Sequence, residues 1–339
     1  MCTSQLYLVK SDKKNRVMSN VNNYVTNLFG EHSERAIPIP CGSCIECRMA
    51  KASEWAFRCM KEAAEYKDNI MVTLTYDDNH LPKSTKIDSE TGECLDSYTL
   101  NHRDVQLFIK RLRKKYGDNI KIYGCGEYGS DKEYIDWKGQ KRVGTERPHY
   151  HIILFNLKID DLEFWKMSKC DWSSIQNPLF KSDTISKLWN KGHADLNEVN
   201  YETCRYVAGY VMKKWKGRGS DEHYMLKGQK PPYTFCSRRP GIGHAFFMRN
   251  KDKFLNEETF WQKTRKGVVE LPPIRYFDKL MDKEDSVRLQ EIKDKRIQKS
   301  IERDASILKN TDIQMYEYIN NHSLKVQEKQ KFNTHRYIQ

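Results

Sequence analysis

Two histidines one residue apart open the chemistry of this chain, in the run Arg147-Pro148-His149-Tyr150-His151-Ile152-Ile153-Leu154-Phe155. The apolar residues that follow predict a strand over His149 to Phe155, covered on both faces and so central in a sheet. Alternate side chains on a strand share a face, so His149 and His151 point together with Cα atoms about 7 Å apart. Two imidazoles at that spacing either decorate a sheet surface or converge on one cation. A third ligand favours the cation. Glu127 stands at the end of the preceding strand, in Gly124-Cys-Gly-Glu127-Tyr-Gly129, with glycines on both sides to leave room around it. Antiparallel pairing of 119–127 with 149–155 sets Glu127 beside the histidines; Asp77, Asp78 and His80 are weaker substitutes. Two histidines and a carboxylate suit hydrolytic zinc, non-haem iron or a hard cation on a phosphate.

A second group lies in Tyr206-Val-Ala-Gly-Tyr210-Val-Met-Lys213-Lys214. Tyrosines four apart share a helical face, and Lys213 and Lys214 continue it by a turn. In isolation this reads as a core-facing tyrosine pair with exposed lysines. Beside a cation it reads differently. A phenol with a pKa near 10 is a poor nucleophile until its electrophile is polarised. Attack on a phosphodiester would leave a phosphotyrosine and a free 3′-hydroxyl.

A third group is Cys41-Gly-Ser-Cys44-Ile-Glu-Cys47. Thiolates at two-residue gaps suit structural zinc, with a fourth ligand from elsewhere: Cys2, favoured here, or Cys59 or His32. An iron–sulfur cluster or three plain thiols are the alternatives. Ser237-Arg238-Arg239-Pro240-Gly241-Ile242-Gly243 forms a basic loop suited to phosphate, as do Arg147 and Lys214.

Elements must position these groups. Helical spacing predicts helices over 48–66, 103–116 with Asn101 as N-cap, 162–170, 183–190 and 203–216. Strands are expected over 70–76, 119–123 (breaking at Gly124 and Gly126), 149–155 and 194–199. Residues 1–40, 83–100 and 128–147 read as irregular or loop. Beyond Lys251 the chain reads as helical and charge-rich, with an apolar stripe at Ile297, Ile301, Ala305 and Leu308. Strands mixed with helices, without βαβ alternation, give an α+β class: an antiparallel sheet with helices packed on it. The expected domains are 1–66 (Cys-rich segment and helix), 67–250 (the site domain) and 251–339 (helical extension).

The 339 residues carry a net charge of +13. The excess is concentrated: residues 205–251 hold eleven Lys and Arg against Asp221 and Glu222. A focused basic segment favours a polyanion, with nucleic acid first. Composition excludes collagen-like, mucin-like and fully disordered chains. No apolar run is long enough to span a membrane and no signal peptide is evident, so an intracellular protein with reduced cysteines is expected.

Together, the strand Val72-Thr-Leu-Thr-Tyr76, Arg147-Pro-His149-Tyr-His151 and Tyr206-Val-Ala-Gly-Tyr210-Val-Met-Lys213 resemble the three motifs of HUH-type rolling-circle initiators. The closer resemblance is to the replication initiation proteins of gokushovirus-type single-stranded DNA phages (Microviridae). Pro40 to Arg48, Leu81-Pro82, Ser237 to Gly243 and Arg275-Tyr-Phe-Asp-Lys279 also resemble that family, so the likeness spans about residues 40–280. It implies a ferredoxin-like or RRM-like sheet, Mg²⁺ or Mn²⁺ at His149 and His151 with Glu127 as third ligand, and Tyr206, Tyr210 and Lys213 as catalytic residues. It further implies a single-stranded origin as substrate and the host bacterial cytoplasm as location. The chain has no Gly-x-x-x-x-Gly-Lys-Ser/Thr loop, so a host helicase and DNA polymerase are expected partners. A non-catalytic single-strand binder with structural zinc, a related transposase or relaxase, and a small-molecule metalloenzyme are the rival readings.

Overall fold

The computed structural model describes residues 6–9, 16–18, 36–87, 92, 94–129, 133–135, 140–144, 146–167, 177–213, 224–256, 260–264, 267–271, 273–309 and isolated positions between 318 and 328. The chain separates into two units. One holds residues up to Lys51 and again from Arg296; the other holds Ala52–Lys295.

The larger unit is built on a seven-stranded sheet in which every neighbouring pair is antiparallel. Its strands are β1 (Asn69–Thr75), β2 (Lys121–Tyr128), β3 (Pro148–Phe155), β4 (Glu163–Met167), β5 (Pro178–Lys181), β6 (Ala194–Glu198) and β7 (Tyr233–Cys236). The spatial order is β4-β5-β6-β1-β3-β2-β7. The helices are α1 (Ile45–Ala63), α2 (His102–Tyr116), α3 (Asp183–Trp189), α4 (Tyr201–Lys213), α5 (His244–Arg249), α6 (Lys251–Asn256), α7 (Arg275–Glu284) and α8 (Ser286–Lys309). The elements β1-α2-β2-β3-α3-β6, with the order β6-β1-β3-β2, make the ferredoxin-like βαββαβ arrangement expected from the sequence.

Alternation along the central strands sends side chains to two different cores. Val72, Leu74, Tyr150, Ile152 and Leu154 pack against Val105, Phe108 and Leu112 of α2 and Ile185 and Trp189 of α3. Met71, Tyr123, Cys125, Ile153 and Phe155 face the other way, against Ala52, Ala56 and Cys59 of α1 and Cys204, Val207 and Ala208 of α4. A third cluster of Phe57, Phe247, Phe254, Phe260, Phe277, Met281 and Leu289 binds α5–α8 to α1. In α8, Leu289 and Ile292 are buried, whereas Ile297 and Ala305 of the expected apolar stripe are exposed. The side chains of Ile301 and Leu308 lie outside the described residues.

Several local expectations are corrected. Residues 163–167, expected as helix, form edge strand β4, exposed on both faces. The expected loops 83–100 and 128–147 contain the hairpins Lys83–Ile87/Cys94–Tyr98 and Glu133–Ile135/Lys141–Val143. Leu6–Val9, Arg16–Met18 and Ala36–Ile39 form a small sheet within the segment read as irregular. A hairpin, Phe260–Thr264/Gly267–Leu271, interrupts the helical C-terminal part. β2 also runs straight through Gly124 and Gly126. A Cβ on Gly124 would stand 2.7 Å from the Phe235 ring, and one on Gly126 2.9 Å from that of Tyr233. These glycines admit the aromatic rings of β7; they do not end the strand.

Candidate metal and tyrosine site

β3 lies between β1 and β2, with His149 opposite Glu127 and Thr75, and His151 opposite Cys125 and Thr73. This is the antiparallel pairing that the sequence suggested. One oxygen of Glu127 lies 2.9 Å from His149 Nε2 and 3.5 Å from His151 Nε2. The ligand atoms of the three residues all lie within 4.8 Å of one another. Glu127 and His151 are each 4% exposed, so the cluster sits beneath the surface. Contrary to expectation, Gly126 and Gly124 do not make room for Glu127, because their open side faces Tyr233 and Phe235 on the opposite face.

The other ring nitrogens are held from behind. His149 Nδ1 donates to the carbonyl of Arg147 at 3.1 Å, and His151 Nδ1 meets the Thr73 hydroxyl at 3.0 Å. A carbonyl only accepts, so His149 Nδ1 carries hydrogen and its Nε2 faces a carboxylate that also only accepts. That approach is attractive only if a positive charge lies at Nε2, as a proton or a metal ion. A buried carboxylate likewise needs compensation. The donor set therefore fits a divalent cation, and the second bond to each imidazole is the orienting contact that metal-bound histidines use. Thr73 was missed from sequence. Its signal was its place on the Val72–Tyr76 strand, on the same face as the histidines once the register is known.

Tyr150, between the histidines, points to the opposite face and is fully buried. Its hydroxyl donates to the Asn101 carbonyl at 3.0 Å and accepts from the Asn101 amide at 2.8 Å. Asn101 caps α2 as expected, accepting from the Arg103 amide. Burial pushes the Tyr150 phenol up to about 12, so it stays neutral at the start of that helix.

α4 brings the tyrosines to the histidine face. Asn200 and Thr203 cap it reciprocally: the Asn200 amide donates to the Thr203 hydroxyl and the Thr203 amide to the Asn200 side chain, each at 2.9 Å. Cys204, Val207 and Ala208 bury the inner face, where the Cys204 thiol meets Cys59 of α1. The Tyr206 ring then stands edge-on to His151, centroids 5.1 Å apart. Tyr210 and Lys213 belong to the same helix, but their side chains, and all of Lys214, lie outside the described residues.

The other candidates are distributed differently. Arg147 flanks the site, but its guanidinium ties Asp78 at 2.5 Å and the Tyr76 carbonyl at 2.9 Å, joining the end of β1 to the start of β3. Asp77 and His80 pair with each other at the surface, away from the metal cluster. The 237–243 loop is fastened at Ile122 through Ser237. Five residues of strand separate Ile122 from Glu127, about 16 Å, so Arg238 and Arg239 stand toward the far end of the sheet. Buried Glu62 holds this loop, accepting from the Gly243 amide at 2.6 Å and pairing with Lys121 at 2.7 Å. Arg58 donates to the Ile242 carbonyl and lies between the Trp55 and Tyr276 rings. Cys41, Cys44 and Cys47 converge in the smaller unit. Cys2 and His32 lie outside the described residues. Cys59 does not join them: it is twelve residues further along α1 than Cys47, about 18 Å of helix, and is buried against Cys204.

The profile of a family described as replication-associated proteins of the ORF2 type matches residues 69–215, the stretch from β1 to the end of α4. The "Replication-associated protein ORF2" of Spiroplasma virus 4 is 33% identical over 265 residues, covering 76% of this chain and 72% of that protein. The chain belongs to the family of phage replication-associated proteins. Further relatives of this replication initiator are "Replication-associated protein VP4" of Bdellovibrio phage phiMH2K and "Replication-associated protein ORF4" of Chlamydia phage 1. They are 31% and 29% identical, and the matches cover 69% and 68% of this chain but 62% and 53% of the relatives' own lengths. No solved structure matches. The family resemblance read from the motifs is thereby borne out. Among the described residues of the initiator, no helix is long and apolar enough to cross a membrane.

Proposed function

We propose that this replication initiator is a metal-dependent nicking and strand-joining enzyme for single-stranded DNA at a viral origin, of the HUH class. The observation that carries the reading is the Tyr206 ring edge-on to His151, whose Nε2, like that of His149, turns to the Glu127 carboxylate. A divalent cation, Mg²⁺ or Mn²⁺, held by Glu127, His149 and His151 would polarise the scissile phosphate and offset its developing negative charge. Two imidazoles favour the softer Mn²⁺ over Mg²⁺ for affinity.

Tyr206 or Tyr210 supplies the attacking oxygen. Its bond to phosphorus forms as the bond to the 3′ oxygen breaks; the phenol loses its proton and the leaving 3′ oxygen gains one. The products are a 5′-phosphotyrosine and a free 3′-hydroxyl. Lys213 is assigned to the transferred phosphate, and Arg238, Arg239 and Lys214 to more distant backbone phosphates. A second tyrosine lets the released 3′-hydroxyl attack the first phosphotyrosine and close a circle, so strands exchange without free ends. Extension of the 3′-hydroxyl and unwinding fall to host polymerase and helicase, which places the reaction in the host cytoplasm.

The test is a single-stranded origin oligonucleotide labelled on either side of the nick. Divalent metal should yield a covalent protein adduct on the 5′-phosphate side only. The double variant Tyr206→Phe with Tyr210→Phe should bind the oligonucleotide and form no adduct. An undiminished adduct in that variant refutes the assignment.

A further inference from the structure

The cysteine cluster plays no part in the nicking chemistry, and it has the geometry of a separate metal site. The three sulfurs lie within 4.8 Å of one another. Zinc–sulfur bonds of about 2.3 Å at tetrahedral angles put thiolates about 3.8 Å apart, so a small closing movement seats one ion among them. In a four-iron cluster each cysteine binds a different iron, and the sulfurs stand well beyond that range.

The backbone is arranged for a charged sulfur. Gly42 takes φ +74, in the left-handed region, and turns the chain back on itself. The Ser43 and Cys44 amides then donate to Cys41 Sγ at 3.4 and 3.2 Å, and the Ser43 hydroxyl adds a third contact at 3.4 Å. Such donors stabilise a thiolate more than a thiol. Cys44 immediately precedes α1 and Cys47 sits in its first turn, where the helix dipole also favours negative charge. The same face of the turn thus presents three sulfurs to one point.

We propose that Cys41, Cys44 and Cys47 bind one structural zinc ion that closes the first turn of α1, the fourth position being taken by water or a further protein donor. This site is independent of Glu127, His149 and His151: soft donors here, imidazole and carboxylate there.

The experiment uses the full chain, purified without chelator from zinc-supplemented cells. Elemental analysis should find about one zinc per chain. Iodoacetamide should modify the exposed Cys94 at once, while Cys41, Cys44 and Cys47 resist until a strong chelator strips the metal. His149→Ala should keep its zinc, and Cys44→Ser should lose it. Free alkylation of all three cysteines in the purified wild-type chain would overturn the proposal, whatever the variants do. So would iron with a visible charge-transfer colour, or zinc that leaves with His149→Ala and stays with Cys44→Ser.

Discussion

The two ligand clusters of this protein are assembled in opposite ways. Cys41, Cys44 and Cys47 come from seven consecutive residues, gathered by one turn and the start of one helix. Glu127 and the histidines come from two strands, and their convergence depends on the register of a whole sheet. The contrast teaches that a local cluster reads directly off the sequence and needs little of the fold, whereas the non-local one exists only when the fold does. It also separates what each costs to remove. The cysteine turn closes a helix end; the histidine cluster lies among buried groups held from both sides.

The largest difference should come from the sheet site itself. His151→Ala should abolish the covalent adduct while leaving most oligonucleotide binding, as nicking and filter-binding assays on one preparation would show; wild-type adduct levels would break the comparison. Cys44→Ser should instead leave the nicking site in place and lower the melting temperature, and chelated wild type should match it. Removal of His151's rear support is the finer probe. Thr73→Val keeps the shape but loses the hydroxyl at Nδ1, and should weaken Mn²⁺ binding by about 10–100-fold in a calorimetric titration. Unchanged affinity would mean that Thr73 orients nothing. The smallest effect should be that of Tyr150→Phe, which strips the bond to Asn101 from the opposite face. It should cost about 1 kcal/mol in urea unfolding and leave metal affinity near wild type.

The legibility of the molecule follows the same division. The strands over 70–76 and 149–155 and the helix over 103–116 were readable because their apolar residues are buried in register with one face or both. Pairing of Glu127 with His149 followed from antiparallel neighbours alone. β4 was misread because Leu162, Trp165 and Met167 mimic helical spacing on a segment whose side chains are all exposed, where no core enforces a period of two. Gly124 and Gly126 looked like strand breakers because the residues that need their missing side chains, Phe235 and Tyr233, arrive more than a hundred residues later. The same distance hid the role of the 237–243 loop's anchors, Glu62 and Arg58, which lie on α1 and look in sequence like surface charges.

Tyr150 has a consequence for how molecules of this protein can fail. It is flanked by the two imidazoles in sequence, and its hydroxyl is latched to the backbone at the start of α2. A slip of β3 by one position would tear that latch and turn both imidazoles into the opposite core, so quality control of the scaffold and arming of the chemistry are a single event. A preparation should therefore contain no well-folded but misassembled fraction: active-site titration and the cooperative unfolding amplitude should count the same molecules.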